Sequence, residues 1–402
     1  MKIHRAYRYE LKLNAQEAVL CAKHAGTARF AFNWGLKQRI EKYEKDKTST
    51  NAIEQHKLLN SLKLTEFPWM YEVSKCAPQE ALRDLDKAFK NFFRGLKGKK
   101  PVGFPKPKRK GMHDSFRLTG AIKIEGAIIQ LPRLGMLRLK EMSNVEGRIL
   151  SATISREADR WYVSIAVEEE RIDPASLEGT PVGIDVGLTS FAVLSSGEKY
   201  EAPKPLAKYL RKLKRAARKQ SRKVKGSKNR KKSALKLARI HRRVRNIRKD
   251  YLHKLSSNLA KTKSEIIVED LDIKGMLRSG SLNRQISDVG WREFRMMLEY
   301  KTTWYGSKLT VAPRSFPSSK RCSKCGVVAE KMPLQIRHWQ CKCCLAEHDR
   351  DINAANNLLI YSTESSSGIY ACRDSSNGTG KIPVSYVSLK QELMNETFVH
   401  KL

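Results

Sequence analysis

Four cysteines constrain this chain more tightly than any other feature. Two residues lie between Cys322 and Cys325 and two between Cys341 and Cys344, and fifteen residues separate the pairs. Two Cys-x2-Cys knuckles at that distance place four thiolates around one tetrahedral ion, the arrangement of a zinc ribbon. Knuckle geometry needs an i,i+3 pair, so Cys341 goes with Cys344 and Cys343 is surplus. Buried apolar thiols are the plain alternative, but nothing about them requires this spacing. His338 and His348 are nitrogen donors able to replace one thiolate, although four cysteines already fill the shell. Four thiolates leave no open position for water, so the expected Zn2+ is structural rather than catalytic. Cys21, Cys76 and Cys372 are scattered, a distribution suited to metal binding in a reducing cytosol and not to a disulfide framework.

The second knuckle runs directly into acids, in HWQCKCCLAEHDRDINAANNLL at 338–359. Asp349 and Asp351 precede an apolar helical run, and either could cap it or bind a cation. Two further carboxylates stand at predicted strand ends. In VGIDVGLTSFAVLSSG, Val182, Ile184 and Val186 point one way and Gly183, Asp185 and Gly187 the other. Asp185 is therefore alone on a face that something approaches closely. SEIIVEDLDIKGM, at 264–276, is a short apolar strand ending in Glu269 and Asp270. Asp185, Glu269 and one of Asp349 or Asp351 could converge on two Mg2+ ions and drive in-line phosphodiester hydrolysis, since oxygen ligands suit magnesium as thiolates suit zinc. A surface acid and a helix cap are the ordinary readings of the latter two.

Charge identifies the partner class. Lys and Arg number 79 against 41 Asp and Glu, a formal net charge of +38 whose self-repulsion a polyanion would neutralise. Residues 204–249 contain no acid and interleave aliphatics with Lys and Arg, predicting two basic helices with a break near Lys225 to Asn229. A solvated helix face would ordinarily mix signs. Lys212, Arg215, Arg218, Lys219, Arg222, Arg239, Arg242 and Arg243 are the candidate phosphate contacts. The first residues carry no apolar leader core, and no run of 18 apolar residues occurs. The expectation is a cytoplasmic, nucleoid-associated protein with no membrane partner.

Ahead of these elements, Asn14 and Glu17 form a capping-box signature for a helix over 14–45, and a second apolar-periodic helix starts near Pro78. It ends in GLKGKKPVGFPKPKRKG, where Pro and Gly interrupt regular structure. From about 115 to 170 short alternating runs predict hairpins of a small antiparallel barrel or sheet, with a domain boundary near 175. A Trp- and Phe-bearing helix is expected around 288–306 and a strand in SKLTVAPRS. Beyond about 365 the chain is Ser- and Gly-rich and predicted to be disordered.

Taken in order, GIDVGLTSFAVLSSG, IIVEDL, SDVGWREF, FPSSKRCSKCG and C-x2-C-x3-HDRDINAANNLL resemble the split nuclease motifs and inserted zinc ribbon of TnpB, the transposon-encoded RNA-guided nucleases often described as transposases. They are similar also to the nuclease half of type V CRISPR effectors. The resemblance spans roughly residues 5–360, with RFAFNWGL, KAFKNFF and GFPKPK fitting more loosely. It implies an α/β multidomain chain. A wedge-like β-barrel (1–10 and 111–177) is interrupted by a helical recognition domain (11–110). An RNase H-like (RuvC) nuclease domain (178–318 and 346–364) holds the ribbon (319–345) and is followed by the tail (365–402).

The resemblance further implies that Asp185, Glu269 and Asp351 hold two catalytic Mg2+ ions, which favours Asp351 over Asp349. It places one structural Zn2+ on Cys322, Cys325, Cys341 and Cys344. The chain departs from the pattern at Leu345, where glycine is usual, and at Cys343. The implied partners are a guide RNA from the transposon end and a double-stranded DNA target, with the protein monomeric in the ribonucleoprotein. Lys75 and Gln79, with Tyr71 nearby, correspond to contacts with a short motif flanking the target. The implied activity is RNA-guided DNA cleavage; a nuclease-inactive RNA-guided repressor or a strand-transferring transposase are the rival readings.

Overall fold

The computed structural model describes residues 1–366 except 99, 100, 279, 281 and 334, so the predicted disordered tail, with Cys372, falls outside the described residues from 367 onward. The described residues divide into two compact units: 1–172 with 213–242, and 173–212 with those from 243 onward.

The first unit opens with β1 (Lys2–Lys12), then three helices, α1 (Ala15–Asp46), α2 (Ala52–Leu62) and α3 (Cys76–Lys97). Asn14 and Glu17 do form the capping box: Asn14 Oδ1 accepts from the Glu17 amide and Glu17 Oε2 from the Asn14 amide, each at 2.8 Å. The following strands are β2 (Ser115–Leu118), β3 (Lys123–Glu125), β4 (Ile128–Leu131), β5 (Gly135–Leu139), β6 (Arg148–Glu157) and β7 (Arg160–Glu170). With β1 they make a seven-stranded sheet in the order β2-β6-β7-β1-β5-β4-β3. Every neighbouring pair is antiparallel. Alternating Val163, Ile165 and Val167 from β7 join Ala25, Ala28 and Phe32 of α1 and Leu82 and Leu85 of α3 in one core. Burial on that scale stabilises by about 1.5–3 kcal/mol per large aliphatic side chain.

The basic segment folds as α4 (Pro205–Ser221) and α5 (Lys228–Thr262), with the break a few residues earlier than expected.

In the second unit, β8 (Val182–Val186), β9 (Ser190–Leu194), β10 (Lys199–Glu201), β11 (Glu265–Glu269) and β12 (Lys308–Ala312) form a sheet in the order β10-β9-β8-β11-β12. The β8–β9 and β9–β10 pairs are antiparallel; β11 is parallel to both β8 and β12. Between β11 and β12 lie α6 (Ile273–Arg278), α7 (Asn283–Val289) and α8 (Trp291–Tyr305). The last described elements are a small ladder, β13 (His338–Gln340) against β14 (Glu347–Asp349), and then α9 (Arg350–Ser366). One face of the sheet packs Val182, Ile184, Ile266 and Val268 against Leu252, Leu255 and Leu259 of α5 and Phe294 and Leu298 of α8. The other face carries Ile267 and Ala312 with Phe316 and Leu358 of α9.

Candidate functional site

What approaches the bare face of β8 is α9, backbone first. A β-carbon on Gly183 would lie 2.0 Å from the Ala355 carbonyl oxygen and 2.6 Å from the Leu359 nitrogen. Any side chain there would push the helix off the sheet. Asp185 is two residues further on and so shares that face. The parallel register aligns Val182, Gly183 and Ile184 with Ile266, Ile267 and Val268, which brings Asp185 and Glu269 to the next position of adjacent strands. Both are half-buried, and among the described residues neither carboxylate has a hydrogen-bond or ion-pair partner.

Two acids at the start of α9 have separate tasks. Asp349 Oδ1 accepts from the amides of Asp351 at 2.9 Å and Ile352 at 3.2 Å, while Oδ2 meets Lys199 Nζ at 2.9 Å. Burial opposes its charge, but Lys199 and the amides hold the carboxyl below the ordinary range. Asp349 is the helix cap. Asp351 sits in the first turn with its carboxylate on the Arg337 guanidinium, at 3.0 and 3.4 Å. Asp270, beside Glu269, is bound by Arg295 and by Arg314 at 2.9 Å. No sequence signal marks these cationic partners.

Asp185 is pushed up to about 8, first by burial and then by the charges of Asp351 and Glu269, with Arg350 and Arg337 acting in the opposite sense. Glu269 is raised by burial and by Asp270. Carboxylates that discourage each other's ionisation, with oxygen donors only, suit a hard divalent cation that would neutralise them. The three acids share a face and an electrostatic field, but they are not drawn into a ligand shell while Asp351 is turned to Arg337.

The cysteines are so drawn. Among the described residues, Cys322, Cys325, Cys341 and Cys344 are the one group of three or more ligand-type side chains close enough to hold an ion, with all four sulfurs within 4.8 Å of one another. Burial opposes ionisation of Cys341, but amides of Cys344 and Cys343 hold its thiol below the ordinary range, while burial holds those of Cys322 and Cys325 above it. The set fits zinc. Cys343 lies outside the cluster and is exposed. His348 Nε2 approaches Cys322 Sγ at 3.1 Å without replacing a sulfur. The knuckles match in backbone: Gly326 N bonds Cys322 O and Leu345 N bonds Cys341 O, both at 2.9 Å. Gly326 takes φ +78° and Leu345 φ +56°, the left-handed region where a leucine is strained.

The first knuckle is fastened to α9 by asparagines of the INAANNLL run. Buried Asn353 accepts from the Ser323 amide at 2.9 Å and donates to the Arg321 carbonyl at 2.8 Å. Buried Asn357 donates to the Ser318 carbonyl at 2.8 Å. Arg321 makes a bidentate pair with Glu364 at 2.9 and 2.6 Å, both side chains buried. The helix that starts at the acids therefore also holds the cysteine module.

The candidate nucleic-acid contacts divide. Lys212, Arg215, Arg218 and Lys219 are exposed on α4 and Arg222 just past its end, and the last four recur at i, i+3, i+4 and i+7. Arg239 and Arg242 are instead engaged by Asp159, at 2.8 and 3.0 Å, an acid remote in sequence. Arg243 packs over the Tyr209 ring. Lys75 is exposed at the start of α3, with Gln79 half-buried one turn on.

Family models match residues 164–280 ("Probable transposase"), 291–358 ("Cas12f1-like, TNB domain") and 1–48 ("Helix-turn-helix domain"). A Streptomyces pristinaespiralis protein named "Putative RNA-guided DNA endonuclease" is 37% identical over 406 residues, covering 98% of each chain. The chain belongs to the TnpB family. A second relative of that description, InsQ of Escherichia coli K12, is 33% identical over 89% of this chain and 92% of its own. Proteins of Acanthamoeba polyphaga mimivirus named as TnpB-like are 31% identical over 33% of this chain. The fold is similar to that of a chain described as Cas12f1 in a complex with sgRNA and target DNA, at TM-score 0.52 and 14% identity, over 89% of this chain and 99% of that one. In this TnpB-family chain the segment matched as helix-turn-helix is a strand followed by one continuous helix, β1 and α1.

Proposed function

We propose that the chain is an RNA-guided, Mg2+-dependent DNA endonuclease of a mobile element, cleaving beside a short flanking motif. The observation that carries this reading is Asp185 and Glu269 on adjacent parallel strands beneath the helix whose first turn carries Asp351. In this reading the second unit is a RuvC-like, RNase H-type nuclease domain with an inserted zinc ribbon. The seven-stranded sheet is the wedge barrel and α1–α3 the recognition insert. A guide RNA and double-stranded DNA occupy the basic surfaces, where recognition is by backbone and A-form shape. The ribonucleoprotein works in the cytoplasm with one protein copy.

Asp185, Glu269 and Asp351 would hold two Mg2+ ions, which supply Lewis acidity at the scissile phosphate and an activated water. Asp351 would release Arg337 to do so. Asp349 holds the first turn of α9, and Asn353 and Asn357 hold the helix to the cysteine module, so the carboxylate of Asp351 keeps its place. Lys199 supports the cap.

The test is separate replacement of Asp185, Glu269 and Asp351 by alanine. Each variant should lose target cleavage and keep guide-dependent DNA binding; cleavage retained in any two would refute the assignment. A strand-transferring transposase would yield joined rather than cut DNA in the same assay. A guide-dependent repressor would show no difference between wild type and variants.

A further inference from the structure

From Lys87 to His113 the chain has ten lysines and arginines, no aspartate or glutamate, and four phenylalanines. Phe89, Phe92 and Phe93 are on α3, and the chain then turns back along it. Gly95 permits that return, since a β-carbon there would lie 2.6 Å from the Val102 nitrogen. Phe104 is thereby seated edge-on against Phe89 and Phe92, with ring centroids 5.5 and 5.3 Å apart. Phe89 is anchored in turn by the Arg39 guanidinium, 5.1 Å from its ring centre. Arg39 is itself fixed by Gln55 at 3.0 Å and by Asp86.

This supported shelf is open on its outer side. Phe93 is 54% exposed, Leu96 64% and Phe104 46%. Arg94, Lys97 and Lys106 are exposed nearby, and among the described residues none is paired with an acid. Exposed aromatics packed on one another within a cationic surface combine the two elements that bind unpaired nucleotides: ring faces for the bases and charges for the backbone.

We propose that the phenylalanine shelf is a base-stacking platform for single-stranded DNA. A second copy of this chain is a poor occupant, because a net charge of +38 repels itself. The choice of DNA rests on the proposed function. Pairing a guide with one DNA strand leaves the other unpaired, whereas the guide's targeting bases are held in the duplex.

The test uses the full-length protein and a single-stranded oligothymidylate carrying 5-iodouracil, with an oligouridylate and a duplex of equal length beside it. Photocrosslinks should fall on Phe93 or Phe104. Phe93→Ala with Phe104→Ala should weaken oligothymidylate binding about tenfold or more at an unchanged salt slope. Arg94→Ala with Lys97→Ala should instead reduce that slope. Phe93→Trp with Phe104→Tyr should bind as the wild type does, which separates lost stacking from lost folding. Unchanged binding by the alanine pair, crosslinks confined elsewhere, preference for oligouridylate or duplex, or a changed oligomeric state would each overturn the proposal. No guide or cleavage enters these measurements, so failure of the nuclease reading is detected separately, by the acid variants.

Discussion

Gly183 and Ala355 meet backbone to backbone, with 2.0 Å between the carbonyl oxygen and the place a β-carbon would occupy. This contact sets the height of α9 above β8, and hence of Asp351 above Asp185. Gly183→Ala should cost about 1–3 kcal/mol or more through overpacking. Cleavage should fall further than stability alone explains, because the helix carrying Asp351 is displaced. Urea denaturation and target cleavage on one preparation check this. Gly103→Ala, with nothing within 4 Å of the added carbon, is the control expected to be neutral.

Asn353 satisfies two backbone groups of the first knuckle at once. Asn353→Ala leaves the buried Ser323 amide without its acceptor, a loss of about 1–3 kcal/mol. The knuckle should then open more often and release zinc to a chelating dye several-fold faster. Zinc release at the wild-type rate would mean that the clamp does not restrain the ribbon.

Leu345 occupies a left-handed turn position that Gly326 fills in the other knuckle, and its side chain is exposed. Leu345→Gly removes strain of about 1–2 kcal/mol but gives back about 0.5–1 kcal/mol in chain entropy. A net gain of up to about 1 kcal/mol should appear as slower zinc loss and a higher melting temperature. Gly326→Ala should move both in the opposite direction.

Legibility in the sequence followed how local each signal was. Cys322, Cys325, Cys341 and Cys344 announce themselves by spacing, because a knuckle is a local object. The alternation around Asp185 revealed a bare face, but not that a helix 170 residues later would fill it. Asn353 and Asn357 were invisible as a clamp, since their partners are backbone atoms 32 and 39 residues upstream. Arg337, on Asp351, and Asp159, on Arg239 and Arg242, were missed for the same reason. Charge runs report composition, and only tertiary packing decides which cations are already paired.

Lys301 gives the fold a pH dependence of its own. It is buried on α8, and its amine donates to the His253 carbonyl at 2.8 Å and to Ser256 and Ser257 of α5 at 2.7 and 2.8 Å. Burial, and then Lys261, depress it from the ordinary lysine value of 10.5 to about 8. Between these values the unfolded chain holds a proton that the folded chain has released. Stability from this group therefore rises with pH across that window, is complete above it, and is lost as pH falls through about 8. Lys301→Met should remove the slope between pH 8 and 10.5 in urea midpoints, leaving the profile at lower pH parallel to that of the wild type. A variant that kept the slope would assign it to another group, and the α5–α8 contact would then be insensitive to protonation.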